Sequence, residues 1–429
     1  MAAHRAQALL AHRPPMGWNS WDCFGLGVRE WAVRANTDAM AGSLAGLGWE
    51  YIVVDEGWYN PTGGTAGYSE KAAMDMDGFG RFIPSFNRFP SAGHQAGFKP
   101  LADYVHRNGL KFGIHIMRGI PRQAVAAKTP IFGSTAHAQD IADPTSICDW
   151  NSVMYGVHPE LPGSQDWYNS LITLYNAWGV DFIKADDMSQ PYHQGEIRLL
   201  HNAIEKVAPG IVLSLSPGPT PLSRASDVAH QAEMWRISDD VWDQWDHVLR
   251  AFDLLPNWVR YGGPGHWPDA DMLPLGRIAL PPQESDKGGR ASKLTHDEQL
   301  TMMTLWIIAR SPLMFGGHLP ALDRFTLGLL TNTEALRIQQ QGAAPGQIDR
   351  TFNLVRWLSN APDGSRYVAL FNLDHSGLTV TENLTEFNVP LPCDVRDVWA
   401  QKSLGRPYNT LKLEIPPHGV RLLKLSSAI

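Results

Sequence analysis

The sequence predicts an α/β fold, a (β/α)8 TIM barrel followed by a small antiparallel β domain, and three observations carry that expectation. Eight short apolar runs alternate with amphipathic stretches over about the first 340 residues. Most of these runs lead directly into polar residues, several of them acidic. Beyond 342–346 the helical period disappears, and turn-separated strands take over.

Taken in order, the strands are expected at 17–19, 51–55, 111–116, 180–186, 211–216, 234–238, 265–267 and 313–315. The run Tyr51-Ile52-Val53-Val54-Asp55 is mostly apolar and β-branched, as a strand covered on both faces requires. Helices are expected at 29–47, 100–107, 165–178, 194–207, 221–230, 242–255, 296–310 and 319–331. In 165–178, Trp167, Leu171, Leu174, Tyr175 and Trp178 recur at helical spacing, and Gly179 supplies the stop. Two connections, 57–98 and 117–163, are long and rich in Gly, Pro, Asp and Asn. Both leave the C-terminal face of the barrel, where such loops wall a binding site. Downstream strands are expected at 351–358, 367–373, 384–391, 394–400 and 420–425, so the chain divides into a barrel, 1–343, and an antiparallel β domain, 344–429.

Composition narrows the function. Among 429 residues, 36 Lys plus Arg against 43 Asp plus Glu leave a formal charge of −7, which argues against a nucleic-acid partner. With 44% apolar and 18% charged residues the chain can bury a large core. Cys23, Cys148 and Cys393 are widely spaced, which speaks against a zinc cage or a disulfide framework and fits a reducing compartment. The apolar run 6–11 is too short for a secretory signal, and no segment reaches membrane-spanning length, so a cytoplasmic protein without a membrane partner is expected. Sixteen tryptophans are consistent with core filling and with flat faces for sugar rings.

The chemistry lies at the strand ends. Asp55-Glu56, Asp186-Asp187, Asp239-Asp240 and Asp269 with Asp271 each follow a strand, and a barrel brings such positions to one mouth. Helix capping can account for any single doublet. Carboxylates in number serve either a hard cation or glycoside hydrolysis. Lys184 and Arg236 favour the second, because each precedes an acid by two or four residues, and a cation there repels a metal while keeping a nucleophile ionised.

Several ordered motifs then stand out: Pro14-Pro15-Met16-Gly17-Trp18-Asn19-Ser20-Trp21, Asp55-Glu56-Gly57-Trp58, Trp178-Gly179-Val180-Asp181 running into Lys184-Ala185-Asp186, and Trp235-Arg236 through Asp240 to Trp245. The stretch from Gly263 to Leu273 and Ser311-Pro312-Leu313 complete the series. Over nearly its whole length the chain resembles glycoside hydrolase family 27, the α-galactosidase and α-N-acetylgalactosaminidase group. That resemblance implies an exo-acting, retaining hydrolase of terminal α-galactosides that uses no metal and no cofactor. It implies Asp186 as nucleophile and Asp240 as acid/base, with carboxyls roughly 5 to 5.5 Å apart. Trp18 is expected as an apolar wall, Asp55 and Glu56 as acceptors for O4 and O6, and Lys184 as a ligand of O3 or O4. Arg236 and Asp271 are expected at the 2-position or behind the acid/base.

Three departures bear on the substrate. Glu56 stands where galactosidases usually carry aspartate, and its extra methylene crowds C6, which favours β-L-arabinopyranosides. Ser216, in Leu215-Ser216-Pro217-Gly218, replaces the family's usual glutamate and resembles the members that accept an acetamido group. His115 and Arg118 replace a tyrosine-containing pattern and are expected near the pocket. The alternatives in other classes are a non-catalytic carbohydrate-binding barrel and a metal-dependent barrel enzyme.

Overall fold

A computed structural model describes residues 9–64, 73–281 and 287–427 of the protein. Eight parallel strands form the barrel: β1 (Met16–Asn19), β2 (Tyr51–Val54), β3 (Lys111–Met117), β4 (Phe182–Asp186), β5 (Val212–Leu215), β6 (Met234–Arg236), β7 (Trp267–Asp269) and β8 (Leu313–Phe315). Their order round the sheet is β7-β6-β5-β4-β3-β2-β1-β8. The ring closes just beyond β7, where Leu273 bridges Phe315 and its N–H donates to the Met314 carbonyl at 2.8 Å.

Side-chain parity divides each strand between two cores. Tyr51, Val53, Phe182, Val212, Met234, Trp267 and Met314 fill the barrel interior as one cluster. Their neighbours Ile52, Val54, Ile183, Leu213, Trp235 and Phe315 belong to the larger core shared with the helices. The surrounding helices are α1 (Trp21–Phe24), α2 (Glu30–Ser43), α3 (Lys99–Arg107), α4 (Ser164–Trp178), α5 (Gln194–Val207), α6 (Ala225–Gln231), α7 (Trp245–Trp258), α8 (His296–Ala309), α9 (Arg324–Thr331) and α10 (Thr333–Gln341). The helix expected from 242 starts three residues later. Asp243 is held there by Arg290, and the Trp242 N–H donates to His247 Nδ1.

Helix α8 joins the barrel to the C-terminal domain. A capping box between Thr295 and Glu298 starts it, and Trp306, Met302 and Met303 are wholly buried. The domain is an antiparallel sandwich built from β9 (Ala343–Thr351), β10 (Leu354–Asn360), β11 (Arg366–Asn372), β12 (Leu378–Asn383), β13 (Cys393–Asp397), β14 (Lys402–Gly405), β15 (Thr410–Ile415) and β16 (Val420–Ser427). Its large sheet runs β9-β10-β11-β16-β13-β14, and β12 pairs with β15. Alternate residues of β11 again part company: Val368 and Leu370 enter the domain's own core, whereas Ala369 and Phe371 join the barrel-side core.

Two expected strands are corrected. The segment 351–358 is broken at Phe352, whose φ of 53° makes the turn between β9 and β10. Residues 384–391 are not a strand: Asn383 accepts the Thr385 N–H and starts a 3-10 turn, Leu384–Phe387, after β12. Strands β9, β12, β14 and β15 escape a hydropathy reading because each is half exposed and carries polar residues on its open face.

The two long connections leave the C-terminal ends of β2 and β3, and residues 65–72 of the first lie outside the described residues. The one after β3 folds into a small sheet of Ile120–Pro121, Met154–Val157 and Ala142–Asp143. The one after β2 is pinned by Arg88, which is 2% exposed and donates to the carbonyls of Gly57 (2.6 Å), Asn60 (2.9 Å), Leu26 (2.6 Å) and Val28 (2.5 Å). A planar guanidinium can satisfy four carbonyls at once, and a lysine ammonium has too few donors and the wrong shape. Arg88→Lys is therefore expected to leave buried carbonyls unpaired and to cost about 2 kcal/mol or more, read as a lower urea midpoint at unchanged m-value.

Candidate active site

The mouth of the barrel opens into a cavity of about 550 Å³. Asp55, Glu56, Lys184, Asp186, Arg236, Asp240 and Asp271 all line it, so the strand ends do converge. The acid doublets separate, however. Asp239 joins the lining, whereas Asp187 and Asp269 do not.

At the centre, Lys184 Nζ donates to Asp55 Oδ2 at 2.8 Å, and Asn19 Nδ2 donates to the same oxygen at 2.7 Å. Asp186 Oδ2 lies 3.1 Å from His115 Nε2, and Asp186 Oδ1 accepts the Asp187 N–H at 3.0 Å. Burial opposes the charge on Asp186. The hydrogen bond and charge of His115, then Lys184, outweigh it and hold this carboxyl far below the usual carboxylate range. Asp55 is also lowered, because Lys184 and His115 overcome its burial. His115 moves the other way: burial disfavours its proton, but Asp55 and Asp186 together raise its pKa above the ordinary imidazole value.

Across the cavity, Arg236 donates to Asp240 Oδ1 at 3.1 Å and forms an ion pair with Asp271 Oδ1 at 2.8 Å. Asp271 Oδ2 accepts the Val241 N–H at 2.6 Å, which ties the loop after β6 to the loop after β7. The Asp240 side chain is 64% exposed, against 13% for Asp186. One carboxylate is thus embedded in fixed cations and the other faces the open side. Glu56 is 3% exposed, and its Oε1 accepts from Asn151 Nδ2, from the excursion after β3.

Three expected ligands lie elsewhere. Trp18 has no exposed surface and donates its indole N–H to the Gly317 carbonyl at 2.9 Å. It pairs in register with Ile52 and Phe315, both members of the outer core, so strand parity turns it away from the mouth. Trp21, just past the strand, lines the cavity instead and packs on the inner cluster that includes Met272. His115 is fully buried because it pairs with Lys184, one layer below Asp186. It touches the cavity through Asp186, with Nδ1 unpartnered. Ser216 is 1% exposed and does not reach the cavity, which Pro217 and Gly218 line instead. Gly218 packs so closely on β6 that a Cβ there would stand 2.2 Å from the Ser238 carbonyl.

Further residues emerge from the fold. Asp22 lines the cavity with Oδ2 buried and unpartnered; burial, then the charge of Asp271, pushes its carboxyl well above the ordinary range. Next to Asp186, Asp187 adopts a left-handed φ of 60°. Arg118 holds it there, donating to Asp187 Oδ2 at 2.8 Å and to Glu196 Oε1 at 2.5 Å, while its backbone N–H donates to the Asp186 carbonyl at 2.9 Å. Trp21 closes the first motif and Asp22 follows it directly, so the sequence offers a signal for both. Glu196, 78 residues from Arg118, carries no comparable signal in the sequence.

Comparison with known proteins agrees with this architecture. The alpha galactosidase A family model matches residues 152–341, and the alpha galactosidase C-terminal beta sandwich domain matches 351–425. An alpha-galactosidase from Oryza sativa subsp. japonica is 26% identical over 424 residues, covering 97% of this chain and 85% of the relative. A solved β-L-arabinopyranosidase of glycoside hydrolase family 27 from Geobacillus stearothermophilus is 48% identical, with a TM-score of 0.94, covering 98% of this chain and 97% of that one. A candidate α-N-acetylgalactosaminidase from Bacillus halodurans C-125 is 44% identical, with a TM-score of 0.87, covering 97% and 98%.

The raised pKa of His115 has a defined pH signature. Its stabilising contribution is complete below the unfolded value of roughly 6.5 and is lost as pH rises through the folded value. The stability difference between the wild type and His115→Gln, measured by urea unfolding, is expected to be larger at pH 6 than at pH 9.

Proposed function

Because the chain belongs to glycoside hydrolase family 27, we propose that it is a retaining exo-glycosidase that removes a terminal pyranose of galactose configuration, with β-L-arabinopyranosides as preferred substrates. The observation that carries the mechanism is the unequal environment of the two carboxylates in one cavity. Asp186, kept ionised by His115 and Lys184, attacks the anomeric carbon. As that C–O bond forms, the bond to the leaving oxygen breaks, and Asp240 gives this oxygen its proton. Water then returns a proton to Asp240 and attacks the same carbon, releasing Asp186 and a sugar of retained configuration.

Glu56 carries the choice of sugar. It is buried, lines the cavity, and is tied by Asn151. A fixed carboxylate one methylene longer than aspartate takes space beside C5, where galactose bears a hydroxymethyl group and arabinopyranose bears none. The similarity to an arabinopyranosidase at 48% identity supports the same order. An α-galactosidase is the second reading, favoured by the family models matched across both domains. The acetamido reading loses the support of Ser216, which does not reach the cavity surface, and keeps that of the 44% identity to the candidate α-N-acetylgalactosaminidase.

Side-by-side kinetics on nitrophenyl β-L-arabinopyranoside, α-galactoside and α-N-acetylgalactosaminide test the proposal. kcat/KM is expected to be at least about tenfold higher for the arabinopyranoside, and Glu56→Asp is expected to narrow that ratio, a methylene being worth roughly 10- to 200-fold. A galactoside preference in the wild type would reverse the order. Asp186→Asn is expected to lower kcat by roughly a thousandfold or more; an unchanged kcat removes its role.

A further inference from the structure

The loop that carries Asp240 is tied to the barrel along its length, and its far end meets the other domain. The Asp240 side chain is 64% exposed, so the backbone beneath it decides where its oxygens stand. Asp271 holds the next N–H, that of Val241, at 2.6 Å, and the Trp242 N–H donates to His247 Nδ1 at 2.9 Å. Asp243 accepts from Arg290 at 3.0 Å and from the Lys293 N–H at 2.7 Å. Two residues further, Trp245 starts α7 and ends the fourth of the ordered sequence motifs. It does not line the cavity.

Trp245 meets the β sandwich instead. Its indole stacks on the imidazole of His418, with centroids 4.2 Å apart and planes 11° from parallel. His418 stands in the turn between β15 and β16, and both domains hold it there. From the sandwich, the Asp374 carbonyl accepts its N–H at 3.0 Å, and the His375 ring packs against it edge-on at 4.6 Å. From α8, Thr301 Oγ1 donates to its carbonyl at 2.6 Å, and Glu298 Oε1 accepts its Nδ1–H at 2.7 Å. The other Glu298 oxygen accepts the Thr295 N–H at 2.8 Å in the box that starts α8, two residues after Lys293. One side chain of the sandwich therefore reaches the Asp240 loop by two routes, directly through Trp245 and indirectly through Glu298, Thr295 and the segment that binds Asp243.

Such bracing matters for proton transfer. An acid must stand within about 2.6 to 3.2 Å of the oxygen it serves, and a misplacement of about 1 Å costs roughly a hundredfold in rate. We infer that His418 is a positioning residue for the acid/base: by seating Trp245 and Glu298 it fixes the loop from which Asp240 reaches the leaving oxygen, and through it the C-terminal domain takes part in catalysis. This rests on the reading of Asp240 given above and extends it to the second domain.

The test reads kcat/KM of the full-length protein, which reports the step that breaks the glycosidic bond, on two substrates that differ in their need for a proton. Methyl β-L-arabinopyranoside must have its leaving oxygen protonated as the C–O bond breaks, whereas dinitrophenyl β-L-arabinopyranoside loses a stable phenolate unaided. The matching α-galactosides replace them if the wild type prefers that sugar. His418→Ala and Trp245→Ala are expected to lose about tenfold or more on the methyl glycoside and to stay within about twofold of wild type on the dinitrophenyl glycoside, which also reports that they fold. His418→Gln, milder because it can still donate to Glu298 while offering Trp245 no ring, is expected to lose about threefold or more on the methyl glycoside alone. A contact that merely glues the domains lowers both activities together, so equal losses, or an unchanged methyl glycoside activity, overturn the inference. Asp240→Ala, measured beside them, is expected to lose roughly a hundredfold or more on the methyl glycoside and far less on the dinitrophenyl glycoside. If Asp240→Ala loses equally on both, Asp240 is not the acid and the role of His418 falls with it; if Asp240→Ala discriminates and the His418 variants do not, the role of His418 alone falls.

Discussion

Four side chains at the centre of the barrel mouth, Asp55 and His115 buried and Lys184 and Asp186 partly so, hold one another in charge and position: Lys184 on Asp55, and His115 beneath Asp186. Removing charges from water costs several kcal/mol each, and only mutual pairing with additional hydrogen bonds offsets this. Asn19 on Asp55 and the Asp187 N–H on Asp186 supply those additional bonds. The cluster draws on β1, β2, β3 and β4, so the ring of strands must close correctly before any member is paired. Stability of the mouth and the ionised state of Asp186 therefore have one origin.

The other half of the site is built differently. Arg236 reaches both Asp240 and Asp271, and Asp271 holds the backbone at Val241, so Asp240 sits on a tied loop while its carboxylate stays in contact with solvent. Asp186 stays charged because its paired partners outweigh its burial, whereas the Asp240 carboxylate is left to solvent and one arginine. The barrel provides both because each strand ends in a separate loop, and neighbouring loops can differ in exposure without altering the strands below.

Support extends outwards through groups that do not reach the cavity. Arg118 fixes the Asp186 peptide through its own N–H and restrains the left-handed Asp187 through its side chain. A non-glycine residue in that region is held by such contacts rather than by its own preference. Arg88 plays a related part for the loop bearing Glu56, and helix α8 carries the packing into the β sandwich.

Much of this was legible in the order of residues. Helical period located α4 and α5 closely, and the acids at strand ends pointed to one mouth, because periodicity and strand termination are local properties. What the tertiary structure alone decided was depth and cover. Trp18 and Trp21 look interchangeable in the first motif, but pairing of Trp18 with Ile52 and Phe315 sends it outward and leaves Trp21 at the cavity. His115 became a support for Asp186 rather than a ligand because its register partner is Lys184, one layer down. Ser216 is buried while the two residues that follow it line the cavity, and Arg118 meets Glu196 across 78 positions. Register between strands and the path of a loop over a strand end depend on contacts distant in sequence, so the chain alone specifies which chemical groups are present, and the closed barrel decides which of them a substrate can touch.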